Sequence, residues 1–275
     1  MKFNSTKFEV VKFGPSKSLK TNYLYLTPGA DDIIHEVETV KDLGVFIDND
    51  LKFTSHINKL LTKVKQKVGW VMRNFKSKNH FILKTLWRSL IQPHLDYCSP
   101  LWFNPNNLTQ VREIENIQRQ LTKRFEGIGN LNYWDRLKHL KMLSQERCLE
   151  RYRIIYTWKA LENLIPDCGI SYHYSPRRAQ LVNIQPVINT CSSRTKTLRD
   201  GSFQVNGPRL FNSLPLGLHN MTNCSAEAFK NHLDQFLSIV PDEPSCDVLR
   251  PSAISHVTGR FSNSIIDQVK YHSLA

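Results

Sequence analysis

The chain of 275 residues is expected to adopt an α+β fold, a small antiparallel sheet followed by a mainly α-helical region. Two observations predict this. Near Asp50 the apolar pattern switches from short alternating runs to three- and four-residue spacing, the change from strand to helix periodicity. Hydrophobic residues make up 40% and charged residues 22%, an ordinary globular composition in a chain long enough to bury a core.

In order, residues 7–13 read as a strand, with Phe8, Val10 and Phe13 apolar, broken by Gly14-Pro15-Ser16. Residues 23–26 and 33–37 read as a hairpin around Thr27-Pro28-Gly29, and residues 43–47 as a further strand ending at Asp48-Asn49-Asp50. Ser55 is the expected N-cap of the first helix. From there Ile57, Leu60, Leu61, Val64, Val68, Val71, Met72 and Phe75 recur on one side, and Lys59, Lys63 and Lys67 form a stripe beside them. A second helix is expected over 81–91, where Pro93 disturbs it. Others are expected over 108–125, with Val111, Ile114, Ile117 and Leu121 inward, and over 134–140 and 146–164. Residues 166–201 read as a polar loop, 206–240 as two short helices, and the proline-bearing tail 241–275 as flexible.

Charge points to the partner. Residues 51–160 hold 21 Lys or Arg against 7 Asp or Glu, whereas the rest of the chain is nearly balanced, although the whole carries +13. A concentrated positive field suits a polyanion, most simply nucleic acid. The bland readings are solubility or an anionic membrane surface. The sequence has no apolar stretch of membrane-spanning length and no signal-peptide core. A cytoplasmic or nuclear location with reduced thiols is therefore expected, not secretion. Six cysteines show no CxxC pair. His94 and Cys98, four apart, lack a second close ligand pair, so no metal site is expected.

Four motifs recur in a telling order. They are Lys2-Phe3-Asn4 with Lys7, then Lys41-Asp42-Leu43-Gly44-Val45, then residues 90–102 (LIQPHLDYCSPLW), then residues 207–215 (GPRLFNSLP) with 228–233 (AFKNHL). This order resembles the carboxy-terminal part of the reverse transcriptase of non-LTR (LINE, jockey-like) retrotransposons, over about residues 2–240. Phe211 stands where the family usually has Trp. The resemblance implies a palm remnant with a primer-grip hairpin over 1–50, a helical thumb over 51–165 and a carboxy-terminal extension over 166–240. Leu43, Gly44 and Val45 would be the primer grip. Lys59, Lys63, Lys67, Arg73, Lys76 and Lys78 would hold the phosphates of an RNA–DNA template–primer, without regard to sequence.

The parent enzyme is an RNA-directed DNA polymerase whose aspartates bind Mg²⁺. In the family that aspartate pair precedes the KFN motif, whereas Asp31-Asp32 follows it. The pair is expected to be turn residues, no catalytic residue is expected, and the chain alone is expected to be inactive. A truncated element or fragmentary gene product is the expectation, with the missing palm part a possible partner. The alternative is a non-enzymatic nucleic-acid-binding protein derived from a retroelement. Trp70, Phe75, Phe81 and Trp87, interspersed among the basic residues, are expected to pack in the core.

Overall fold

The computed structural model describes residues 8–13, 23–27, 30–170, 172–173, 181–182, 193–243 and 264–272. The chain forms two compact units, residues 1–64 and 65–275. The KFN motif lies outside the described residues. The α+β class holds, with differences in the elements.

In the first unit, β1 (Glu9–Val10), β2 (Tyr23–Thr27) and β3 (Ala30–Glu36) form a sheet in the order β1-β3-β2. The β2–β3 pairing is antiparallel, but β1 pairs parallel to β3 and is much shorter than the expected strand. The register sets Thr27 opposite Ala30, Leu26 opposite Asp31 and Tyr25 opposite Asp32. Asp31 and Asp32 are therefore strand residues, not turn residues as expected, because the ladder already pairs them with Leu26 and Tyr25.

The strand expected over 43–47 starts two residues later, as β5 (Val45–Asp48), and pairs with β4 (Thr39–Asp42) in a second hairpin. Asp42 pairs with Val45, leaving Leu43 and Gly44 as a two-residue loop. Both have positive φ, 42° and 88°, as a type I′ turn requires. Asp48 closes the unit. Its carboxylate accepts from Thr39 Oγ1 at 2.8 Å and from the Ser55 backbone N–H at 3.0 Å, in the first turn of α1 (Thr54–Asn74). A side chain from β5 thus serves an orphan N–H at the helix start, and the helix begins one residue before the expected cap. Ile57, Leu60, Leu61 and Val64 are buried, as their spacing predicts.

In the second unit, α2 (His80–Leu86) passes through a π turn at Trp87–Ile91 into α3 (Gln92–Asp96). Pro93 explains the wide turn: it has no N–H to donate, and its ring crowds the carbonyl four residues back. Cys98 then adopts the left-handed conformation before α4 (Ser99–Trp102). His94 and Cys98 accordingly do not share a helix face. Next come α5 (Leu108–Thr122), α6 (Tyr133–Leu140) and α7 (Gln145–Leu161), close to expectation.

The carboxy-terminal region departs further. The expected loop holds the short pair β6 (Tyr172–His173) and β7 (Leu181–Val182) and a helix, α8 (Ser193–Gly201). Three helices follow, not two: α9 (Phe203–Asn212), α10 (Leu216–His219) and α11 (Ala226–Ile239). The tail ends in α12 (Ile265–Tyr271), with Ile265 and Val269 fully buried, so this part is packed rather than loose.

One core joins the expected thumb and extension. Trp158 of α7 stacks on Phe229 of α11 at 4.7 Å, and Phe211 of α9 lies 6.4 Å from Phe229. Helix α7 has buried residues all round, charged ones included, so it serves as the axis of this unit. Arg153 donates to the Gly201 carbonyl and Asn206 Oδ1, both at 2.9 Å. Arg147 donates to the Val240 and Pro241 carbonyls, and Glu150 accepts from Ser264 Oγ and the Ile265 N–H at the start of α12. Each buried charge is matched to a backbone end, which is how such groups avoid the full penalty of desolvation.

Candidate nucleic-acid interface

The β4–β5 hairpin presents Leu43 at its tip with 84% of its surface exposed, beside exposed Gly44. Val45 points the other way and is buried. Of the three expected grip residues, two are therefore available to a ligand and one anchors the hairpin. Behind the tip, the Phe46 ring lies 3.4 Å below Lys59 Nζ and 5.6 Å from Lys41 Nζ. This cation–π contact ties the first lysine of the α1 stripe to the hairpin. The Phe46 N–H reaches His56 Nδ1 at 3.5 Å. Burial holds the His56 imidazole below its usual pKa, opposed by the Asp48 charge. Lys63, one turn after Lys59, is exposed.

On the second unit, Lys67 is half-buried while Arg73 and Lys76 are exposed. Lys78 is half-buried and donates to the Met72 carbonyl at 3.4 Å, so it is more a brace of the α1–α2 corner than a free phosphate ligand. Lys84 is also engaged, donating to the Leu140 carbonyl at the end of α6, and burial lowers its pKa. The stretch from Leu51 to Leu95 carries ten Lys or Arg and no Asp or Glu. Of these ten, Lys52 pairs with Asp50 at 2.7 Å, and no acidic residue within the stretch offsets the others.

The aromatic residues divide against expectation. Trp87 is buried and Phe75 half-buried, but Trp70 is 49% exposed and Phe81 72% exposed. Trp70 lies off the apolar face of α1, about 100° round the helix from Val71. The helical spacing alone held this signal, since Trp70 does not share the apolar face.

The later motifs are structural. Gln92 accepts from Trp87 Nε1 at 2.8 Å and donates to Asp96 at 2.7 Å, and Asp96 in turn accepts from Tyr152 at 2.9 Å. A Cβ added to Gly207 would come within 2.6 Å of Thr157 Oγ1, so the glycine permits close approach of α9 to α7. A cleft of about 710 Å³ opens between Trp87, Asp96, Trp134, Cys148, Tyr152 and Leu237. Burial pushes the Cys148 thiol above its usual range, which makes it a poor nucleophile. Among the described residues no three His, Cys, Asp or Glu side chains cluster to hold a metal, and no helix is long and apolar enough to cross a membrane.

Comparison with known proteins adds little about activity. No family model matches the chain, and no solved structure does. The chain is similar to an uncharacterized protein of Caenorhabditis elegans, 25% identical over 138 residues. That match spans 49% of this chain and 66% of the relative, just under two thirds of its length.

Proposed function

We propose that the chain is the grip-and-thumb part of a retrotransposon reverse transcriptase, binding the phosphate backbone of an RNA–DNA template–primer. The observation that carries this reading is the pairing of an apolar hairpin tip, Leu43-Gly44, with a following helix, α1, whose charged side chains are all basic. The order of the four motifs supports the family. Lys59, Lys63, Lys67, Arg73 and Lys76 neutralise phosphates, Leu43 and Gly44 meet the primer, and Lys78 braces the corner. Polymerisation needs metal-binding aspartates, which in the family come before the KFN motif. With Mg²⁺, template–primer and nucleotides, the chain by itself is expected to bind unrelated RNA–DNA hybrids with similar affinity and to extend none. Extension that disappeared on changing Asp31 and Asp32 to Asn would contradict this. So would binding confined to one hybrid sequence.

A further inference from the structure

We infer that Trp70 stacks on an unpaired base of a single-stranded nucleic acid, with Lys67 and Arg73 on the adjoining phosphates. The inference rests on the proposed template–primer reading and names a contact that phosphate binding alone does not supply.

The placement of Trp70 calls for a ligand. On α1 the apolar residues Val64, Val68, Val71 and Phe75 define the inward side, with Val64 and Val71 buried. At 100° per residue, Trp70 lies well over a quarter turn from the middle of that side, in the arc that carries Lys67 and Arg73. A large aromatic there stands outside the buried core and leaves about half of its surface, 49%, in water. Its ring is nonetheless held: the Phe75 ring meets it edge-on, 6.1 Å between centroids and 72° between planes. Its carbonyl accepts from the Asn74 amide at 2.8 Å. Gly69 beside it has no side chain, and the Arg73 guanidinium lies 3.4 Å from where a Cβ would sit. Trp70 is thus a supported, half-exposed indole flanked by two cations in an acid-free stretch.

That combination suits a nucleobase. Every base has a π-face on which an indole stacks without reading sequence, while the flanking cations take the phosphates. Bases inside a duplex already stack on their neighbours, so the partner base must be unpaired. A membrane surface fits less well, because an interfacial helix needs its apolar face free for lipid and this one is buried.

The test uses the whole chain and its tryptophan emission. Trp87, Trp102 and Trp158 are buried and Trp134 is half-buried, which makes Trp70 the most accessible reporter. A thymidine oligonucleotide is expected to quench the emission and an abasic strand of equal length to do so much less. Trp70→Leu should weaken thymidine-strand binding about tenfold and leave abasic-strand binding unchanged, and Trp70→Phe should restore most of the loss. Equal binding of both strands by the parent chain and by Trp70→Leu would overturn stacking while leaving the phosphate reading intact. A parent chain that bound neither strand would overturn both. A response to phosphatidylserine vesicles alone would replace the base with a lipid surface.

Discussion

Leu43 sits in backbone geometry that leucine disfavours, at φ 42° in a two-residue turn, with its side chain in solvent. The left-handed region costs an ordinary L-residue about 1–2 kcal/mol, while Asn tolerates it. A leucine at such a tip serves contact better than folding. Leu43→Asn creates the Asn-Gly pair that type I′ turns favour. It is expected to stabilise the chain by roughly 1 kcal/mol and at the same time to weaken hybrid binding. Denaturant midpoints and hybrid titrations read the two effects separately. A variant no more stable than the parent would show that the turn is not strained. Unchanged binding would remove Leu43 from the grip.

Among the elements, α5, α6 and α7 meet at a buried carboxylate. Glu115 accepts from the Tyr133 hydroxyl and from the backbone N–H groups of Gln145 and Glu146 at the start of α7. Burial outweighs these bonds and pushes its carboxyl up to about 7 from 4.5. The folded pKa is thus above the unfolded one. The folded state holds the proton more tightly, so this contribution to stability is complete below about pH 4.5 and is lost as pH rises through about 7. The size is roughly 3 kcal/mol. Asp96 and Asp242 are shifted upward by burial too, and they add in the same direction. Glu115→Gln is expected to flatten the decline of stability between pH 5 and about pH 7, a change that urea titrations at several pH values would measure. An unaltered decline would place the carboxylate elsewhere in the titration.

The contact of α9 with α7 offers a second test. Gly207→Ala gains about 1 kcal/mol of helix propensity but drives a methyl into Thr157, whose hydroxyl is held by the Arg153 carbonyl. Overpacking costs about 1–3 kcal/mol, so net destabilisation is expected in thermal melting. A stabilised variant would mean that the two helices separate easily.

These elements also mark what a linear reading reaches. Helices α1, α5 and α6 were visible because each has one apolar face and a polar remainder. Helix α7 was visible as a helix, but its partners were not, since a helix buried all round shows no preferred face. Nothing in the local sequence marks Arg147, Glu150 and Arg153 as buried; their partners, Val240, Gly201 and Ile265, lie far along the chain. Helix α12 escaped notice because seven residues with Ile265, Ile266 and Val269 give barely two turns of pattern. The Lys41–Val45 hairpin is legible through its resemblance and through Gly44 rather than through Leu43, because Leu at positive φ runs against turn chemistry.

At the scale of the whole molecule, the chain is two units with the basic stretch beginning on α1 and continuing into the second. The basic charge has one of two meanings, a phosphate grip or a solvated face. Salt dependence separates them, because each phosphate neutralised releases counterions. The deciding measurement is the affinity for an RNA–DNA hybrid across a range of salt, for the parent chain and for Lys59→Gln, Lys63→Gln and Lys67→Gln combined. Glutamine keeps helix propensity nearly unchanged, so a lost contact is not mistaken for a lost helix. A log–log slope shallower by about one unit per contact removed is the predicted result. An unchanged slope in the triple variant would contradict the phosphate grip and leave the three lysines as a solvated face.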